Sequence, residues 1–145
     1  MRMRKKKWVS PFLENEKEYL ILDVKSIDTD KPIHMEIGMG MGDFICDSAI
    51  KNKGIYYIGL EREATCVARA IKKAKDYQLD NFKVLLNDAN NIEELCNEHS
   101  LDTIYLHFSD PWPKKRYHKR RLTYLPFLLK YEKMLLYVIN VHFAD

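Results

Sequence analysis

Residues 33–43 read IHMEIGMGMGD, a short strand-like run that gives way to glycines at positions 38, 40 and 42. Glycines at alternate positions let the backbone turn sharply and approach a ligand closely. The spacing is Gly-x-Gly-x-Gly, without the Gly-x-x-Gly ending of the dinucleotide fingerprint. Taken alone it suits either a nucleotide-like cofactor or an ordinary tight turn. Its surroundings decide the fold. Comparable short runs occur at residues 55–60, 82–86, 103–108 and 136–143, and helical segments lie between them at about 43–52, 62–77, 92–99 and 120–135. Ser10 and Pro11 offer an N-cap and a first-turn proline for a further short helix to about residue 20. Strands separated by helices of this length imply right-handed βαβ crossovers, hence an α/β fold with a parallel, doubly wound sheet. With 145 residues the chain makes one domain with a sizeable core.

In such a sheet ligands sit at the carboxyl ends of the strands, and polar residues recur there. The first run carries Glu36 just ahead of the glycines. The second ends in Gly59-Leu60-Glu61, an acid about 20 residues beyond the glycines, where a carboxylate accepts both hydroxyls of a ribose. The third ends in Asn87-Asp88-Ala89, where a carboxylate beside a small residue suits the amino group of an adenine; the plainer role for Asp88 is a helix N-cap. Glu36 opposes a pyrophosphate but tolerates an ammonium and a sulfonium. Charge therefore favours S-adenosylmethionine over NAD, and a methyltransferase over a dehydrogenase.

Residues 108–123 read FSDPWPKKRYHKRRLT. The prolines hold Asp110 and Trp112 in a fixed loop, since each locks its own φ and pushes the preceding residue out of the helical region. Six basic residues then fall within eight positions: Lys114, Lys115, Arg116, Lys119, Arg120 and Arg121. A polyanion is their natural partner, against the alternative of a solvated helix face. The net charge of +3 hides an asymmetry: this block and Arg2, Arg4, Lys5, Lys6 and Lys7 hold 11 of the 24 basic residues, leaving 13 against 21 acids elsewhere, a net of −8. Two basic patches on a mildly acidic body point to directed nucleic-acid contact, although residues 2–7 alone read as a solubilising tail.

Cys46, Cys66 and Cys96 are odd in number and widely spaced, which fits core thiols in a reducing compartment and argues against a zinc site. The five histidines show no ligand spacing either, so no metal is expected. No run approaches the ~18 apolar residues of a membrane span, and residues 2–7 are not followed by the apolar core of a signal peptide. The expectation is a cytoplasmic protein, monomer or homodimer, without membrane contact.

Four stretches, RMRKKKW, EIGMGMG, GLE and FSDPWPKKRYHKRRLT, together resemble the bacterial tRNA (guanine-N7)-methyltransferase family over about residues 2–133. That resemblance implies a Rossmann-like class I methyltransferase fold, S-adenosylmethionine as cofactor and tRNA as partner, with a guanine of the variable loop as target. It implies cofactor contacts from Glu36, Glu61, Asp88 and Asp110, with Asp110 also the active-site residue, and a tRNA contact from Lys114; the reading of the strand ends adds Gly38, Gly40 and Ala89 to the cofactor edge, and that of the basic block adds Arg116, Lys119, Arg120 and Arg121 to the tRNA contact. The residue types suit the chemistry. Guanine N7 carries an in-plane lone pair and no proton, so attack on a sulfonium methyl needs no general base. In-line placement alone lowers such a barrier by ~7 to 11 kcal/mol. A carboxylate such as Asp110 stabilises the cationic product ring, and Trp112 either stacks on a base or closes its turn over the core.

The resemblance ends with the chain. Family members continue through a glycine turn into further strands with a Thr-x-x-Glu motif, whereas here Thr29, Thr65, Thr103 and Thr123 are followed three positions on by Pro32, Ala68, Leu106 and Pro126. The expectation is a basic arm and short helix over residues 1–20, then a methyltransferase domain over 21–145 lacking its last strands. Its alternatives are an inactive tRNA-binding remnant and a methyltransferase acting on another base. If the basic block contacts phosphates, Lys119→Ala, Arg120→Ala or Arg121→Ala each weakens tRNA binding and flattens its log–log salt dependence by about 1 for each phosphate no longer neutralised. Filter binding across a salt series checks this; unchanged slopes with a lowered melting temperature would mean that these residues pair with acids of their own domain instead.

Overall fold

The computed structural model describes residues 4, 6–107, 125–135 and 141–143. Among these, six strands run as β1 (Leu20–Ile21), β2 (Ile33–Ile37), β3 (Tyr56–Glu61), β4 (Phe82–Leu86), β5 (Thr103–Leu106) and β6 (Val141–Phe143). The helices are α1 (Val9–Glu14), α2 (Asp43–Lys51), α3 (Ala64–Asp76), α4 (Ile92–Leu95) and α5 (Leu125–Met134). The sheet order is β1-β4-β3-β2-β5-β6, and every neighbouring pair is parallel. The parallel α/β sheet expected from the strand–helix alternation is therefore the fold. Chain order reverses at β2, which lies between β3 and β5. Such a reversal is where open α/β sheets bind ligands, at the carboxyl ends of the central strands.

Period-two alternation sorts the central strands onto two cores. Met35 and Ile37 of β2, Ile58 and Leu60 of β3, Leu85 of β4 and Ile104 of β5 pack with Ile92 and Leu95 of α4 and Tyr131 and Met134 of α5. The opposite face sets Tyr57, Phe82 and Val84 against Ile45, Cys46 and Ala49 of α2, Val67, Ala70, Ile71 and Ala74 of α3, and Val9 and Leu13 of α1. Small residues on α3 let it lie close to its neighbours; Ala68, Ala70 and Ala74 are all fully buried. The helix closes in a Schellman arrangement, with Leu79 N–H donating to Ala74 O and Gln78 N–H to Lys75 O, at 2.9 and 3.0 Å. Gln78 takes the left-handed position at φ 53°. Cys46, Cys66 and Cys96 are buried and free, as foreseen, and burial pushes the Cys46 and Cys96 thiols up to about 12.

Several boundaries differ from the sequence expectation. The first helix starts at Val9 with Trp8 in the cap position and no side-chain cap, so Ser10 and Pro11 sit inside the first turn. Proline is tolerated there because those N–H groups have no intrahelical acceptor. Burial sets this start: Val9 is fully buried, Trp8 packs edge-on to Phe12 with ring centroids 5.7 Å apart, and Lys72 Nζ lies 4.0 Å from the Trp8 ring centre. The same helix stops at Glu14, because the chain ahead joins the sheet as β1, beside β4. A two-residue strand is too short to leave a period in sequence. The helix expected over 92–99 is a 3-10 turn at Ala89–Asn91 followed by the single turn of α4. His99 adopts φ 59°, and its backbone N–H and ring Nδ1 engage Lys133 O and Leu135 O.

Asn81 is fully buried between these elements. Its amide nitrogen reaches Ala49 O, Asn52 O and Ile55 O at 3.1, 3.2 and 2.9 Å, which ties the end of α2 to the approach of β3. Its own backbone carbonyl accepts from Tyr57 N–H at 2.9 Å. The three carbonyls that the amide reaches are helix-end and turn groups with no helical donor left to them. Asn52 O keeps the Ile55 N–H, so Asn81→Ala takes this donor chiefly from Ala49 O and Ile55 O, and unfolding free energy falls by about 1 to 3 kcal/mol. Urea denaturation of the variant measures this, and a loss below about 0.5 kcal/mol would show that water replaces the amide.

Candidate active site

The parallel sheet brings Glu36 of β2, Glu61 of β3 and Asp88, two residues beyond β4, to one edge. The glycine loop is built onto the same edge. Gly38 and Met39 N–H both donate to Leu60 O, at 2.8 and 3.2 Å, which keeps the chain on β3 past the end of β2. Gly42 is the N-cap residue of α2 at φ 80°, and a Cβ there would lie 2.7 Å from Ala70 Cβ. Gly40, at φ 59°, faces open space, with nothing within 4 Å of a built Cβ. The loop is thus pressed on α3 at one glycine and open to a ligand at another.

Glu61 organises that loop. Oε1 accepts from Gly40 N–H at 3.0 Å and Oε2 from Glu63 N–H at 2.8 Å. A carboxylate oxygen can accept more than one hydrogen bond, so a backbone bond to each is compatible with a ribose hydroxyl nearby. Asp88 does act as an N-cap: Oδ1 accepts from Asn90 N–H at 2.8 Å, at the start of the 3-10 turn. Asn87 Oδ1 accepts both Asp88 N–H and Asn91 Nδ2, at 2.8 and 2.7 Å, so the loop is fixed before any ligand arrives. Ala89 is buried behind it.

Glu36 has no solvent exposure. Oε2 lies 3.0 Å from His107 Nδ1, and Oε1 has no hydrogen-bond partner among the described residues. Burial first, and the neighbouring Glu61 charge second, push the Glu36 carboxyl up to about 8. A buried oxygen without a donor is costly.

Sequence reading passed over His107, which had no ligand spacing. It follows β5 immediately, on the same alternation as Thr103 and Tyr105. Its ring stacks on Tyr105 with centroids 5.4 Å apart and meets Phe44 of α2 at 3.9 Å. Tyr105 OH in turn lies 2.9 Å from His34 Nδ1. The signal was strand parity together with the pairing of Glu36 with Tyr105 across β2 and β5. Asp110, Trp112, Lys114, Arg116, Lys119, Arg120 and Arg121 lie outside the described residues. Among the described residues no three His, Cys, Asp or Glu side chains are grouped to hold a metal, and no helix is long and apolar enough to cross a membrane.

The raised Glu36 carboxyl makes stability depend on pH. Its folded value of about 8 exceeds the ordinary 4.5, so between these limits the folded chain holds a proton that the unfolded chain releases. Folding is relieved of this burden below the lower value and loses stability as pH rises towards the upper one, by at most about 1.4 kcal/mol per pH unit. Glu36→Gln removes the dependence. Denaturation at pH 5, 6.5 and 8 should show the variant gaining on the wild type as pH rises; parallel profiles would mean that the carboxylate is already ionised in the fold.

Comparison with known proteins agrees with this architecture. The sequence matches the family described as "Putative methyltransferase" over residues 30–144. It is 42% identical to a tRNA (guanine-N(7)-)-methyltransferase of Ureaplasma parvum serovar 3, with 93% of this chain and 64% of that protein covered. Against the protein of the same name from Streptococcus mutans serotype c, identity is 40% over 99% of this chain and 72% of the relative. The chain thus spans roughly two thirds of the length of such relatives. A SAM-dependent methyltransferase structure from Aquifex aeolicus superposes with a TM-score of 0.55 at 19% identity, covering 72% of this chain and 52% of that one, a likeness of fold. Identity at this level along nearly its whole length, carried on a methyltransferase sheet, makes the chain a member of the tRNA (guanine-N7)-methyltransferase family.

Proposed function

We propose that this protein binds S-adenosylmethionine at the carboxyl edge of its sheet and transfers the methyl group to N7 of a guanine in tRNA. The observation that carries the cofactor reading is the unpartnered, buried Glu36 Oε1 on the strand that leads into the open glycine loop. A methionine ammonium supplies the missing donor and charge. Glu61, an acid at the end of the strand beside the glycine loop, would hold the ribose hydroxyls, and Asp88 with Ala89 would flank the adenine. The residues present fit the group. A pyrophosphate fits poorly, because a carboxylate stands where NAD would place negative charge.

When bound, the cofactor supplies a methyl group on a positively charged sulfur. The protein's share is placement and electrostatics. Guanine N7 attacks with its own lone pair, so no side chain has to remove a proton. Asp110, in the Asp-Pro-Trp-Pro stretch that follows β5 in the sequence, is proposed to stand beside the guanine and offset the positive charge its ring gains. Lys114, Arg116, Lys119, Arg120 and Arg121 are proposed to hold the tRNA backbone. Cytoplasmic tRNA modification is the corresponding setting.

The direct test is transfer of labelled methyl from S-adenosylmethionine to unmodified tRNA by the 145-residue chain, followed by nucleoside analysis. The expected product is 7-methylguanosine. Label in another nucleoside, or none with tRNA that a relative modifies, would overturn the assignment. Glu61→Ala should weaken S-adenosylmethionine binding by about 1.5 to 3 kcal/mol, the worth of charged hydrogen bonds, while NAD binds poorly to both forms. Calorimetry showing equal affinity for the two cofactors would remove the basis for the reading.

A further inference from the structure

His107 and Glu36 form a pair that the proposed transfer step does not use. The contact joins the ends of β5 and β2 at 3.0 Å, two strands that meet at the switch point. The Glu36 side chain is fully buried and that of His107 is 18% exposed, so solvent reaches the pair from the imidazole side. Two arrangements have the same proton count. In one, Glu36 is neutral and donates O–H to His107 Nδ1; in the other, the proton has crossed to Nδ1 and an imidazolium donates to an ionised carboxylate. The ring contacts keep the second within reach. The imidazole lies 3.9 Å from the Phe44 ring and stacks on Tyr105 at 15°, aromatic neighbours that stabilise a cation.

We infer that His107 is a positioning residue that takes the Glu36 proton when the amino-acid end of the cofactor arrives, so that the buried carboxylate ionises without releasing a proton to solvent. The inference rests on the cofactor reading above. The balance is simple: the Oε2–H bond breaks, an Nδ1–H bond forms on His107, and the entering ammonium meets the charge left on the carboxylate. Among the described residues, the other titratable groups around the pair are Glu61 of β3, whose charge raises Glu36, Cys46 of α2, which Glu36 raises in turn, and Tyr105 and His34, which share a hydrogen bond on the same face of the sheet. Glu61 is engaged by two backbone N–H groups, and burial keeps the Cys46 thiol protonated. His107 is thus the base in direct contact with Glu36.

Two ligands separate this role from general support of the fold. S-adenosylhomocysteine carries the ammonium, and 5′-methylthioadenosine lacks the amino-acid end. Their binding is measured by calorimetry at pH 6, 7 and 8.5, each in two buffers of different ionisation heat, for the wild-type chain, His107→Phe and His107→Asn. Wild-type affinity for S-adenosylhomocysteine should stay within about threefold across this range, with close to no proton released. In His107→Phe the ring remains and the base is gone, so affinity should fall about tenfold per pH unit below about 8, with about one proton released on binding. Binding of 5′-methylthioadenosine should be unchanged throughout. His107→Asn keeps a hydrogen-bond donor to Glu36 but accepts no proton; it should show the same pH slope, and it carries the test if the phenylalanine variant does not fold. A flat, wild-type profile in a variant that still binds 5′-methylthioadenosine overturns the inference alone. Failure of the wild-type chain to bind either nucleoside overturns the cofactor reading, and the inference with it.

Discussion

A carboxylate with no solvent exposure, on the central strand of a parallel sheet, is the constraint around which this site is arranged. Strand β2 is covered on both faces, and its partners β3 and β5 lead the chain away in opposite directions across the sheet. Such a strand should carry apolar side chains throughout. Glu36 breaks that rule next to the glycine loop, and the fold tolerates it by keeping a proton on it and a histidine beside it. Desolvation of the charged form is a standing cost to the free protein. A cationic ligand converts that cost into binding energy, since the carboxylate then gains the charge partner it lacks. The same group therefore lowers stability and, in the proposed site, provides specificity, a frequent combination at functional positions.

The neighbouring acid has the opposite role. Glu61 is satisfied on both oxygens by backbone N–H groups, one from the glycine loop and one from the residue just ahead of α3. It spans the gap between the loop after β2 and the loop after β3, which sequence separates by 21 positions. A ligand entering here meets a loop whose conformation has already been fixed, and the ordering cost of binding falls accordingly. Asn87 and Asp88 fix the third loop in the same way, through a cap and two side-chain bonds. Two acids one strand apart thus act differently: one is buried and incomplete, the other a brace.

The family resemblance and the structure bear on different parts of the chain. Motif reading was strongest at residues 108–123, where acidic turn and basic block follow each other, and those positions lie outside the described residues. The structure speaks for the cofactor edge, where single motifs were weaker. Gly38, Gly40, Glu61, Asp88 and Ala89 all fall at that edge because parallel strands place their carboxyl ends together. Asp88 is a cap, and the proposed adenine contact is compatible with that because a carboxylate has more acceptor sites than a cap consumes.

Sequence by itself determined the strand–helix alternation, the parallel sheet and the order of the chemistry-bearing strand ends, because those follow from local periodicity and from glycines and acids at fixed positions along the chain. It also determined which thiols are core residues. Tertiary structure decided what local pattern does not encode. The two residues of β1 are a strand because β4 offers them hydrogen bonds, and α1 begins at Val9 because that side chain fits the core beneath α3. Burial of Glu36 and its meeting with His107, 71 positions away, exist only once β2 and β5 lie side by side. A protonation state is a property of surroundings, not of residue type: the same glutamate is an ordinary acid in the unfolded chain and a proton-holding group inside the sheet.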